Sequence, residues 1–159
     1  MRHRKRKGRL TASPSHVRAM RRNFVASLFT HGTIRTTMAK AKAFRPFAEK
    51  LITLARKGNA SKNEATPEGR AAHLHAVRRA AQLLPSKPAV RRLFQHVAPA
   101  VGDRPGGYTR IVRLGTSRLG DRAPQALLML VDKPVEGDEG ADAAAAKGKK
   151  GRKEKAAAK

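Results

Sequence analysis

Not one acidic residue precedes Glu49, although thirteen lysines and arginines fall in the same stretch. Over all 159 residues, 36 basic side chains face 11 acidic ones, a formal charge of +25. Self-repulsion on that scale opposes any compact state unless a polyanion neutralises it. The length allows one domain with a core and is too short for two. Aromatic residues make up only 4% and much of the 40% apolar content is alanine, so that core must be small.

The same feature narrows the partners. Nucleic acid is the first candidate and an anionic membrane surface the second. No run approaches the ~18 apolar residues of a membrane span; the longest, Ala126 to Val131, has the length of a strand. Met1 to Arg9 is basic, but no continuous apolar segment follows, so no secretory signal is expected. With no cysteine, disulfides and thiolate metal sites are excluded, which suits a reducing compartment. The expectation is a cytoplasmic protein that binds a polyanion.

Three segments differ in composition. Residues 1–15 form a basic arm that has almost nothing to bury and that can order when phosphates neutralise it. Ten extended residues reach roughly 33–36 Å, enough to thread between RNA helices. Residues 16–135 carry the large aliphatic and aromatic side chains expected of a single domain. Residues 136–159 contain no aliphatic larger than alanine and no aromatic, so a disordered low-complexity tail is expected there.

Within the domain, Ser15 is positioned to cap a helix in which Val17, Met20, Phe24, Val25 and Leu28 lie on one side, with Gly32 as its stop. Arg18, Arg21 and Arg22 occupy the opposite face. The β-branched run Thr33–Thr37 reads as a strand. Helical spacing then returns through Ala41, Phe44, Phe47, Leu51, Ile52 and Ala55, with Gly58 as the expected stop. Pro46 should kink this helix or start a new one. Thr66 and Pro67 open a third helix running to about Leu84, and Ser86 to Pro88 a fourth, with Val90, Leu93, Phe94 and Val97. Strands at Tyr108–Leu114 and Gln125–Val131, joined by a loop of about ten residues, close the domain. The order α-β-α-α-α-β-β predicts a two-layer α+β fold, helices packed on a small three-stranded sheet.

Catalytic chemistry finds no footing. "GTSRLGDR", Gly115 to Arg122, has the glycine spacing of a phosphate loop, but Asp121 and Arg122 stand where Lys and Ser/Thr are needed. It reads as a loop between strands. His73 and His75 fall on different sides of a helix, and no cysteine or carboxylate pair completes a metal site. Acidic residues cluster only in the tail, so no general acid–base pair can be named. The expectation is no enzyme, no cofactor, no metal and no small-molecule substrate. Arginine suits the alternative work, since its planar fork pairs with phosphate and stacks on bases.

Taken together, "MRHRKR", "SHVRAMRRNFVASLFTHGTIRTTMAKAKAFRPFAEKLITLARKG", "GGYTRIVRLG" and "GDRAPQALLMLV" resemble the bacterial large-subunit ribosomal protein seventeen family over about Met1 to Asp132. The resemblance implies a non-enzymatic component of the large ribosomal subunit. Its partners would be large-subunit rRNA and neighbouring large-subunit ribosomal proteins. It carries rRNA contacts onto Arg2, His3, Arg4, Lys5 and Arg6, and onto His16, Arg18, Arg21, Arg22 and Asn23. It also carries them onto Ile34, Arg35, Thr36, Thr37, Lys40 and Lys42, and onto Tyr108, Thr109 and Arg110. The basic character of their segments adds Arg9, Arg45, Arg113 and Arg118. Val17 departs from the family, which often has arginine there, and the residues beyond Val135 extend past its usual core.

The faces of Tyr108–Leu114 do not separate cleanly. The expectation is that Val112 and Leu114 pack inward while Arg110 and Arg113 reach RNA, with Gly106 and Gly107 letting backbone approach a phosphate. Tyr108 is open between stacking or hydrogen bonding on RNA and closing the edge of the core. The competing function is a nucleoid-type DNA-binding protein, for which a Lys/Ala tail is a common ingredient; neither a helix-turn-helix nor a groove-inserting ribbon is evident.

Overall fold

A computed structural model describes Leu10, residues 13–63 and residues 66–132. The basic arm before Leu10 and the tail after Asp132 lie outside the described residues. The elements run α1 (Pro14–His31), β1 (Thr33–Thr37), α2 (Met38–Asn63), α3 (Pro67–Leu83) and α4 (Lys87–Arg92). A π-helical turn at Leu93–Val97 leads into a last turn, α5 (Ala98–Val101), before β2 (Thr109–Ser117) and β3 (Pro124–Leu130). This is the α+β order expected, helices packed with one antiparallel three-stranded sheet.

The chain's last strand is the middle one: the sheet order is β1-β3-β2. Ile34 stands opposite Leu128, and Leu128 opposite Ile111, so these three share a face. That face packs against α2, and Ala126, Leu128 and Leu130 are buried on it. The other face carries Arg35, Leu127 and Val112 in one row and Thr33, Met129 and Arg110 in the next.

Local signals explain most of the boundaries. Pro14 begins α1, whose cap is Ser13 rather than Ser15; Ser13 Oγ lies 2.8 Å from Ser15 Oγ and caps no backbone N–H. Gly32 ends α1 in the left-handed region at φ 71°, its N–H donating to Leu28 O at 2.8 Å. Thr66 Oγ1 accepts from Gly69 N at 3.1 Å, and Ser86 Oγ from Ala89 N at 3.4 Å, as N-caps should. The apolar stripe of α1 is buried only in its C-terminal half, at Val25, Ala26, Leu28 and Phe29, while Val17, Met20 and Phe24 are half-buried.

Three expectations are corrected. First, Pro46 does not start a new helix: α2 runs unbroken through it, Phe44 and Ala48 on either side are buried, and this packing outweighs the missing N–H. Second, Gly58 does not stop α2 but lies buried inside it. A Cβ there would fall 2.7 Å from Ala76 Cβ and 3.3 Å from a Phe94 ring carbon, so the glycine permits close approach of α3 and the π turn. Asn59 Nδ2 donates to Phe94 O at 2.8 Å and satisfies that carbonyl in the π-helical turn. Third, β2 packs through the opposite face from the one expected. Thr109 is buried and Ile111 packs on the core, while Val112 is 38% exposed. β2 also runs on to Ser117 across a register irregularity, so the loop to β3 is shorter than ten residues, Arg118 to Ala123.

Gly58→Ala tests the close approach. Overpacking costs about 1–3 kcal/mol, against a helix-propensity gain of about 1 kcal/mol. The denaturation midpoint should fall, and the loss should shrink in an Ala76→Gly background; equal losses in both backgrounds would place the strain elsewhere.

Candidate nucleic-acid interface

The basic residues divide by what holds them. On α1, His16, Arg18 and Asn23 are exposed and Arg22 is half-buried. The Arg21 guanidinium lies 4.3 Å from the centroid of the Phe47 ring on α2, and Phe24 packs on Phe44 with ring centroids 5.3 Å apart. These contacts pin α1 to α2 while leaving Arg18 directed outward.

On the outer face of the sheet, Arg35 Nε donates to Gln125 Oε1 at 2.6 Å and its Nη2 to Thr116 Oγ1 at 3.3 Å. These bonds fix the guanidinium across all three strands. Arg110 is exposed on the same face, and Leu127, Met129 and Val112 form an apolar platform between the two arginines. Thr36, Thr37 and Lys40 are half-buried where β1 enters α2, and Lys42 is exposed.

Lys42, Arg45 and Arg113 converge instead on the other side of the sheet. With Met38, Pro46, Glu49 and Ile111 they line a cleft of about 520 Å³ between α2 and β2. At its base Glu49 Oε1 accepts from Arg45 Nε at 3.0 Å and from Thr109 Oγ1 at 2.9 Å. Sequence reasoning missed Glu49, Met38, Pro46 and Ile111 as parts of a site. Glu49 carried one signal, being the first carboxylate after a long uncompensated basic stretch.

Tyr108 does not belong to this surface. It is 1% exposed and packs in the main core, its hydroxyl oxygen 3.5 Å from Thr53 Oγ1. The ring therefore closes the core rather than offering itself to RNA. The register decides this, because Thr109 pairs with Leu130 at the buried end of β2. Gly107 turns the chain into the strand at φ 69°. Arg2, His3, Arg4, Lys5, Arg6 and Arg9 lie outside the described residues.

Arg118 is tied within its own loop. Its Nε donates to Asp121 Oδ1 at 2.9 Å, its Nη2 donates to Asp121 Oδ2, and Ala123 N donates to Oδ1 at 3.2 Å. This bidentate pair, helped by the Ala123 amide, pulls the Asp121 carboxyl down to about 2. By contrast, Arg18, Arg22, Arg110 and Arg113 make no ion pair or hydrogen bond with another described residue.

A larger groove, about 800 Å³, runs between α2, α3 and α4 past Val77, Val90 and Phe94. Two of its polar side chains are engaged: Asn59 bonds Phe94 O, and His73 Nδ1 donates to Gly58 O at 3.0 Å. Among the described residues no group of three His, Asp or Glu could hold a metal ion, and no helix is long and apolar enough to cross a membrane.

Fold and surface together define a class: a small α+β protein whose fixed and unpaired arginines outnumber its carboxylates, with no catalytic constellation among the described residues. The family model described as ribosomal protein L17 matches residues 20–131. The chain belongs to that family. It is 45% identical over 127 residues to the large ribosomal subunit protein bL17 of Tropheryma whipplei (strain Twist), covering 80% of this chain and 63% of that protein. Against the protein of the same name from Geobacter sulfurreducens identity is 46% over 136 residues, 86% of this chain and 69% of the relative. For that of Akkermansia muciniphila it is 42% over 145 residues, 91% and 96%. The chain thus spans a little under two thirds of the Tropheryma relative and nearly all of the Akkermansia one. These comparisons lend no support to a nucleoid-type DNA-binding protein.

Titration tests the Arg118–Asp121 loop. A carboxyl held below its usual 3.8 keeps its pairing above that value and loses it as pH falls through about 2. NMR should show the Ala123 amide shifting with that low midpoint, and Arg118→Ala should raise it; an unchanged midpoint in the variant would separate the two groups.

Proposed function

We propose that the chain is a structural constituent of the large ribosomal subunit, in the cytoplasm, that binds large-subunit rRNA by neutralising and positioning its phosphates. The observation that carries this is the set of arginines that make no ion pair or hydrogen bond with another described residue, Arg18, Arg22, Arg110 and Arg113, on a body otherwise closed by a well-packed core. Family membership supports the choice of RNA over other polyanions.

In this reading the N-terminal half of α1, the outer face of the sheet and the cleft between α2 and β2 meet different RNA segments. Arg35 and Arg110 flank an apolar platform on which sugars and bases can rest, while Arg18 and Arg22 bridge phosphates along α1. Their approach relieves the repulsion that a charge of +25 imposes on the free chain. Arg2 to Arg6, Arg9 and His3 extend the same chemistry along the arm, and neighbouring large-subunit proteins complete the surroundings. No cofactor and no bond-breaking step enters this account.

Two measurements test it. In a sucrose gradient that separates the subunits, the protein should travel with the large one and survive a salt wash that strips loosely bound basic proteins. Recovery in light fractions or with chromosomal DNA would overturn the reading. With roughly ten phosphates contacted, the isolated affinity should fall ~10⁵-fold between 50 and 200 mM salt. Replacing Arg18 or Arg22 by alanine should reduce the salt slope by about one each, without moving the melting temperature.

A further inference from the structure

We infer that the cleft between α2 and β2 receives a single unpaired nucleobase bearing an exocyclic amino group, extruded from the RNA strand and seated on Glu49. The inference rests on the proposed RNA-binding function and names what one part of that surface recognises.

The argument begins with an asymmetry in Glu49. Its side chain is 27% exposed, and its Oε1 accepts two hydrogen bonds, from Arg45 and Thr109. Its Oε2 makes none with any described residue, although a carboxylate offers about four lone-pair sites. The carboxylate is therefore held in place by one oxygen and presents the other.

The walls suit a planar ring. Met38, Pro46 and Ile111 supply apolar surface, and a volume of about 520 Å³ falls within the range of sites for small organic groups. Lys42 and Arg113 stand exposed at the rim, where the phosphates flanking an extruded nucleotide would lie. A phosphate at the floor would meet the free Glu49 oxygen and be repelled, so the cationic rim and the acidic floor take different parts of one nucleotide.

The same polarity selects among bases. The cytosine amino group donates naturally to a carboxylate, as amino groups on adenine and guanine also can. Uracil offers one N–H between two carbonyls, which would face the carboxylate unfavourably. Glu49 consequently reads amino against carbonyl rather than one base alone.

The test is fluorescence anisotropy with the full chain and two labelled RNA 12-mers, oligocytidylate and oligouridylate, at matched salt. They carry the same phosphates, so electrostatics alone gives equal affinity. The cytidine strand should bind about fivefold to tenfold more tightly. In a Glu49→Gln variant the amide oxygen stays with Arg45 and Thr109, which turns an N–H into the cleft, so the preference should vanish or invert toward uridine. Thermal melting establishes that the variant is folded, and the wild-type ratio needs no variant at all. Equal, steeply salt-dependent binding of both strands would overturn the inference and leave the proposed function intact. A cytidine preference that persists in folded Glu49→Gln would overturn it too. Salt-insensitive binding, or none at low salt, would overturn both.

Discussion

A helix in which Ala41, Phe44, Ala48, Leu51, Ile52 and Ala55 are all buried has to be covered from more than one side. In this protein α2 packs on all three strands and on α1, α3 and the π turn. Its small residues set the distances. Gly58 lets α3 approach through Ala76, while Phe44 packs on Phe24 with ring centroids 5.3 Å apart. Because aromatics are scarce, this arrangement extracts a continuous core from a chain rich in alanine, and every surface described above is positioned relative to that one helix.

Against +25 of net charge, Glu49, Asp121 and Asp132 are placed where they do structural work. Glu49 ties α2 to β2 through Arg45 and Thr109. Asp121 closes the β2–β3 loop on Arg118, and Asp132 Oδ1 accepts from Arg104 Nη2 at 3.1 Å just past β3. Each pair is at least partly solvated and contributes modestly to stability. Their larger consequence is selective. They tie down Arg45, Arg104 and Arg118, whereas Arg18, Arg22, Arg110 and Arg113 make no ion pair or hydrogen bond with another described residue.

The helices and their ends were legible because local rules govern them. Gly32 as a left-handed stop, Thr66 and Ser86 as caps and the β-branched Thr33–Thr37 strand depend on neighbours within a few positions. Gly58 looked like another stop because glycine interrupts an isolated helix; its real reason, the Ala76 Cβ, lies far along the chain. Pro46 as the start of a new helix misled in the same way. In β2 both faces carry an arginine and an aliphatic residue, so periodicity alone gave no preference between Val112 and Ile111. The basic residues of the interface were visible one by one, whereas their division into tethered and unpaired groups was not, since Gln125 and Thr116 reach Arg35 only across the sheet.

By itself, then, the sequence determined the element order, the α+β class and the large excess of positive charge. Charge balance and hydrophobic period are local or additive quantities, and no folding is required to read them. Only the tertiary structure decided that β3, the last strand, lies between the other two, that Tyr108 closes the core, and that Glu49 stands at the floor of a basic cleft. Each of these depends on strand register and on helix-to-sheet contact between residues far apart in the chain, 55 positions for Thr53 and Tyr108 and 60 for Glu49 and Thr109, where loop closure rather than local preference sets what can meet.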